Sequence, residues 1–235
     1  MPTPHTPRSN RLLASLPRAD YERFTPHLEL HQLGLGQILS EAGRPLQHAY
    51  FPADCVVSLL HVMKNGDSAE IAVVGNEGVV GLASFMGGES MPGRAVLQSA
   101  GAAFRLSAKS LSLEFARGEA LQRMLLRYTQ ALITQMAQTA VCNRHHTVEQ
   151  QFCRWVLMSL DRLSSNQLNM TQELIANMLG VRRERVTEAA GKLQDGGFIH
   201  YSRGRIVVVD RAKLESHVCE CYALVKIEFN RLLSP

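Results

Sequence analysis

Residues 171–193 read TQELIANMLGVRRERVTEAAGKL. Thr171 can cap a helix, its side-chain oxygen accepting from a free backbone N–H of the first turn. Leu174, Ile175, Met178 and Leu179 follow at helical intervals and supply an apolar face. Ala176 is small, as a close helix crossing requires. Gly180 suits the left-handed position that ends a helix. Val181 and Val186 can plug the angle to a second helix, which opens on Arg182, Arg183, Glu184, Arg185, Thr187 and Glu188. Two short helices around a glycine turn form a helix-turn-helix, whose second helix lies in the DNA major groove. An ordinary helical hairpin with a solvated charged face shares this spacing.

The next residues favour the first reading. Asp195-Gly196-Gly197 stops the helix, and Phe198–Tyr201 and Arg205–Val209 read as strands around Ser202-Arg203-Gly204. A helix-turn-helix followed at once by a basic hairpin is a winged helix. From Arg182 to Arg205 there are six Lys/Arg against three Asp/Glu. Arg203 and Arg205 on the wing are candidate phosphate contacts, which position a protein without reading sequence. The implied partner is double-stranded DNA.

The chain has 235 residues, enough for two small domains, with 46% apolar and 20% charged residues. Its net charge of +4 permits nucleic acid without requiring it. Met1–His5 shows no secretory pattern, and no stretch is apolar enough to span a bilayer. The five cysteines lack a disulfide-framework spacing, so a reduced, cytoplasmic protein is expected.

From about Glu29 to Leu106 short β-prone runs alternate with turns: residues 36–39, 50–52, 56–60, 69–74 and 95–98. Asn65-Gly66 is a strong hairpin signal. Many short strands at regular spacing suggest a β-sandwich or jelly roll. Residues 12–24 read as a short helix leading into it. A long helix follows over about 118–142, with Leu121, Leu125, Tyr128, Leu132 and Met136 on one stripe and Met124, Ala131 and Ile133 widening it. A helix apolar on more than one face has two partners. The β domain is expected on one side and the same helix of a second subunit on the other, since such proteins commonly read two-fold related half-sites. A buried monomer helix is the alternative. Another amphipathic helix runs to about Leu163, carrying Val148, Phe152, Trp155, Val156 and Leu160 inward beneath the helix-turn-helix. A last helix spans about 211–233.

With these elements in this order the chain resembles the Crp/Fnr family of bacterial transcription regulators over nearly its whole length. The resemblance rests chiefly on TQELIANMLGVRRERVTEAAGKL and on FIHYSRGRIVVV. It implies an α+β fold: an N-terminal double-stranded β-helix (jelly roll) at 1–117, a dimerisation helix and hinge at 118–145, and a C-terminal winged helix-turn-helix at 146–235. It implies a homodimer, and RNA polymerase as a candidate partner for which no contact motif is visible. In the family the recognition helix begins with an Arg-Glu motif whose glutamate reads a base edge; Arg183 and Glu184 stand there. Arginine can bridge guanine O6 and N7, and glutamate can accept from cytosine N4. Glu188 replaces a second reading arginine of many members, with Arg185 a candidate for that role, and Arg182 replaces a small capping residue. The cyclic-nucleotide cassette is incomplete. Gly81 and Arg94 match it, but Leu82 stands where a ribose-binding glutamate belongs and Ala95 where a phosphate-binding hydroxyl belongs. An unmet buried polar group is expensive, so cAMP is not expected as a strong ligand. Arg94 either anchors another anion or pairs with a carboxylate such as Glu89. No cysteine precedes Cys55, so the family's N-terminal iron–sulfur cluster is not expected. Haem ligation through a histidine has no marker.

Other histidines and cysteines have simpler readings. Cys142 and His146 are four apart near the hinge and could share a helix face as a metal or redox switch; a buried thiol beside solvated histidines is the simpler account, because two ligands do not close a metal site. On a continuous helix Cys219 and Cys221 point apart, whereas His217 and Cys221 could meet. No metal site is therefore expected. An enzyme of the cupin kind would need a facial set of histidines and a carboxylate. His27 and His31 would share a strand face, but no partner motif follows.

Overall fold

The computed structural model describes residues 5–233. The segment read for a leader, Met1–His5, lies outside the described residues except for His5. The single helix expected over 12–24 is two, α1 (Arg11–Ala14) and α2 (Arg18–Phe24), because Pro17 lacks an N–H and opens the second. Asn10 caps α1, its Oδ1 accepting from Leu12 and Leu13. Its Nδ2 donates to the Pro52 and Gly78 carbonyls, tying this lead-in to the β domain.

The strands are β1 (Glu29–Leu33), β2 (Ile38–Ser40), β3 (His48–Pro52), β4 (Val56–Val62) and β5 (Ser68–Val74). The short helix α3 (Ala83–Met86) comes before β6 (Arg94–Ser99) and β7 (Gly101–Ser107). They form two antiparallel sheets, β1-β7-β3 and β2-β6-β4-β5, as a jelly roll. Side chains such as Phe51, Val57, Leu97 and Phe104 fill the core between them. The Asn65-Gly66 turn joins β4 to β5, with Gly66 at φ +92°. His27 sits in a 3-10 turn before β1 and not on a strand, so it shares no face with His31.

After α4 (Ala108–Ala116) comes the long helix α5 (Ala120–His145). Leu121, Leu125, Tyr128 and Leu132 are buried inside the chain's own core, and Met136 is half-buried. The stripe expected at a subunit interface is therefore consumed within one chain. Gln135 also faces inward, its amide exchanging hydrogen bonds with both Val73 N–H (2.8 Å) and Val73 carbonyl (3.1 Å) of β5. The large apolar side chains α5 leaves exposed are Leu126, Ile133 and Val141. None of the described helices is long and apolar enough to cross a membrane.

Next, α6 (Val148–Leu160) begins with Thr147 in a capping box with Gln150. All ten residues from Gln151 to Leu160 are buried. A helix buried all round needs neighbours on every side. On one flank these are α7 (Gln172–Leu179), α8 (Arg183–Asp195), α9 (Arg211–His217) and β8 (Gln167–Asn169). On the other lies the β4–β5–β6 sheet, reached by polar contacts: Gln98 Nε2 donates to Ser159 Oγ at 2.6 Å, and Ser58 Oγ bonds both Gln98 and Glu70. Just past α6, Arg162 Nε pairs with Glu77 at 2.7 Å with both side chains under 10% exposed. Gly75 allows this, since a Cβ there would fall 2.6 Å from the Arg162 side chain.

The wing is β9 (Ile199–Ser202) and β10 (Arg205–Val208), extended by β8 into a sheet of order β8-β10-β9. The final helix breaks into α9 and α10 (Glu220–Leu233), and α10 folds back along α5 rather than only closing the DNA-binding domain. Removing Glu77 strands a buried guanidinium, which typically costs about 3–5 kcal/mol. Glu77→Ala should lower unfolding free energy in urea by about that amount. A loss under about 1 kcal/mol would mean the pair behaves as a surface bridge.

Candidate nucleic-acid interface

Thr171 Oγ1 accepts from Leu174 N–H at 3.3 Å and starts α7. Ile175, Ala176, Met178 and Leu179 are buried, while Leu174 is 40% exposed and lies off the inner face. Gly180 ends the helix at φ +66° and ψ 35°. A non-glycine residue there meets strain from its own backbone and also crowding, because a Cβ would lie 3.2 Å from that of Ala69 on β5. The turn of the helix-turn-helix thus rests against the β4–β5 hairpin.

Val186 is fully buried under α8, and Val181 packs at the edge of the core. Arg182, Arg183, Glu184, Arg185, Thr187 and Glu188 are all exposed. They divide into two flanks. Arg183 shares a cleft of about 460 Å³ with Thr171, Tyr201 and the wing's Arg203. Thr187 joins this side, its hydroxyl bonding Gln172 Oε1 at 2.8 Å. Arg182, Arg185 and Glu188 border a larger cleft of about 910 Å³, walled by the hinge residues Asn143 and His146 and by Ala69 of the hairpin. Glu188 is held by Lys192 at 2.8 Å, which lowers its carboxyl below the ordinary range. At the wing tip Arg203 (φ +50°) and Gly204 (φ +74°) form the two-residue turn between β9 and β10. Both left-handed residues suit a hairpin's right-handed twist, and Arg203 and Arg205 project exposed.

Gly81, Leu82, Arg94 and Ala95 come together around one mostly apolar cavity of about 50 Å³, with Met136 of α5 in its wall. Arg94 Nε pairs with Glu41 at 2.9 Å, not with Glu89. Sequence reasoning also missed Glu70. It is buried on β5 beside the Ser58 hydroxyl, and burial pushes its carboxyl up to about 7 against the pull of Ser58, Arg154 and Arg162. Nothing in a single sequence marks a strand glutamate as buried.

The continuous helix expected over Cys219 and Cys221 needs correction. Val218 is extended (φ −70°, ψ 153°) and breaks the last helix, so residues two apart no longer point opposite ways. Ligand atoms of Cys142, His146, Cys219 and Cys221 all lie within 4.8 Å of one another. His217 is absent from the group, bonding Glu149 at 2.6 Å and packing at a tilt against Phe198.

A winged helix-turn-helix on a cyclic-nucleotide-binding type of β-roll defines a DNA-binding transcription regulator. A family model for the cyclic nucleotide-binding domain matches residues 30–117, and one for the Crp-like helix-turn-helix domain matches 150–217. Together they span more than half of the chain, which belongs to the Crp/Fnr family. Among solved structures, FixK2 from Bradyrhizobium japonicum is 17% identical with a TM-score of 0.66, covering 82% of this chain and 98% of that one. The c-di-GMP responsive global regulator CLP of Xanthomonas campestris is 15% identical with a TM-score of 0.65, covering 83% and 100%. TTHA1359, a CRP/FNR family transcriptional regulator from Thermus thermophilus, is 18% identical with a TM-score of 0.65, covering 83% and 98%. No curated protein matches.

Glu70 supplies a pH dependence. Its folded pKa near 7 exceeds the ordinary 4.5, so the protonated form suits the native state. Its contribution is full below 4.5 and is lost as pH rises through about 7. Urea melts at several pH values should show wild type losing stability relative to Glu70→Gln between roughly pH 4.5 and 7, and no further loss above that. Parallel profiles would show that Glu70 does not titrate there.

Proposed function

We propose that the protein acts as a homodimer whose two α8 helices enter successive major grooves of a two-fold DNA site. The division into sensor (1–117), hinge helix (118–145) and DNA-binding domain (146–235) is part of this reading. One observation carries it: Arg183 at the start of α8 and Arg203 at the wing tip line the same exposed cleft, so one duplex can meet a base-reading group and a phosphate-positioning group together. Glu184 is the base reader, Arg182, Arg185 and Thr187 flank it, and Arg205 joins the phosphate contacts. Glu188 is engaged by Lys192, which favours Arg185 as the second reader.

The dimer seam assigned here is Leu126, Ile133, Ala137 and Val141, which follow at intervals of seven, four and four and remain exposed on α5. The signal reaches α8 through the contact of Ala69 with Gly180 and through α6. A ligand that prefers one arrangement of these contacts shifts the dimer population toward it. The cavity at Arg94 argues against cAMP and against the c-di-GMP to which the Xanthomonas regulator responds. Ligand pockets commonly enclose about 300–1,000 Å³, and this one holds about 50 Å³.

Selection from random DNA followed by binding assays tests the reading. Glu184→Ala should relax preference at one base pair, with roughly 1–3 kcal/mol of discrimination lost. Arg203→Ala should weaken binding to all sequences and reduce the salt slope by about 1. Unchanged site preference in Glu184→Ala would reject the assigned reader. Ile133→Glu should yield monomers in ultracentrifugation and weak DNA binding; a dimer that survives would reject the seam. Calorimetry with cAMP should give no saturable heat at micromolar concentrations.

A further inference from the structure

We propose that Cys142, His146, Cys219 and Cys221 bind a single zinc ion, which pins the hinge end of α5 to the junction of α9 and α10. Three thiols and an imidazole are a closed structural donor set for zinc, with no position left for water. They come from two chain segments that meet only in the folded protein. Cys142 and His146 stand at the end of α5, and Cys219 and Cys221 flank the first residue of α10.

The spacing suits one ion. With a zinc–sulfur bond of about 2.3 Å, tetrahedral geometry sets sulfurs about 3.8 Å apart. Cys142 Sγ and Cys219 Sγ are 3.7 Å apart. The matching sulfur–nitrogen edge is about 3.5 Å, and Cys221 Sγ lies 3.4 Å from His146 Nδ1. Sulfurs of a disulfide stand at about 2.05 Å, so the cysteines are free thiols here. Iron–sulfur clusters distribute their thiolates over several metal atoms, and a set confined within 4.8 Å lacks that room.

The surroundings are those of a metal site. His146 presents Nδ1 to the cysteines while its Nε2 meets Glu220 Oε2 at 3.3 Å. A carboxylate on the far ring nitrogen fixes the tautomer and strengthens the ligand. Gln138 Nε2 donates to Cys221 Sγ at 3.1 Å, a bond that favours the thiolate. Cys142, Cys219 and Cys221 are all at most 4% exposed. Three thiolates, a neutral imidazole and a zinc ion carry net negative charge. The buried Arg154, whose charge acts on Cys142, offsets it.

The ion would have a mechanical role. Its ligands join the end of the long helix to the junction of α9 and α10, and His146 also borders the cleft beside Arg182 and Arg185. Zinc binding favours the arrangement described here, because it brings the two ligand-bearing segments together.

The test uses the full chain purified anaerobically with reductant from zinc-supplemented cells. Elemental analysis should find roughly one zinc per chain. Cys219→Ser and Cys221→Ser should lose it, while Cys55→Ser, outside the set, keeps it. Cobalt(II) added to the stripped wild type should give thiolate charge-transfer bands and the strong visible bands of tetrahedral cobalt, absent from Cys221→Ser. Because a variant can misfold, zinc is also added back to stripped wild type, whose Tm should rise. A zinc-free wild type, equal zinc in both ligand variants, a Tm indifferent to zinc, or a Cys142–Cys219 disulfide as the resting form would each overturn the proposal.

Discussion

The structure depends on the burial of α6 between the helices of the helix-turn-helix unit and the β-roll sheet. Its residues from Gln151 to Leu160 have no free side. The helix-turn-helix is built on one flank and the β2-β6-β4-β5 sheet lies on the other. Apolar packing supplies most of the adhesion, but it is indifferent to small slides. The Gln98–Ser159 bond and the Arg162–Glu77 pair are directional, and leaving any of these groups unpaired in the interior is costly. They fix where α6 sits on the sheet. The same helix therefore holds the β-roll on one flank and α8 on the other.

This arrangement gives the recognition helix two different neighbours. Its Arg183 side opens toward the wing, where a duplex can be gripped. Its Arg182–Arg185 side faces the hinge and the β4–β5 hairpin, where Gly180 rests against Ala69. The absence of a side chain at Gly180 serves two ends, the left-handed turn and the close approach of the sensor. Under the proposed reading, control of DNA binding needs no long relay, since the β4–β5 hairpin lies directly against the turn.

Local chemistry was legible in the sequence where a residue's role depends on its chain neighbours. Thr171 as cap, Gly180 as terminator, Asn65-Gly66 as hairpin and the Arg203-Gly204 wing turn all take the expected forms. Four residues of the incomplete cassette, Gly81, Leu82, Arg94 and Ala95, converge on one cavity. Roles set by distant neighbours were hidden. Periodicity showed that Leu121, Leu125, Tyr128 and Leu132 are covered, but not that their own β domain covers them. β1 and β7 carry few β-branched residues and gave no strand signal. The break at Val218 involves neither glycine nor proline, so a continuous helix was the natural expectation and the Cys219–Cys221 pairing was excluded by it. Glu70 and Arg154 sit in the interior because of tertiary partners that no local pattern announces.

The most direct measurement is amide hydrogen exchange of the full chain with and without a selected DNA duplex. The account predicts protection at Arg183–Thr187 and Arg203–Arg205 on binding, together with altered exchange in the β4–β5 hairpin and α6. Complex formation with α8 and the wing unprotected, or with hairpin and α6 indifferent to DNA, would contradict it.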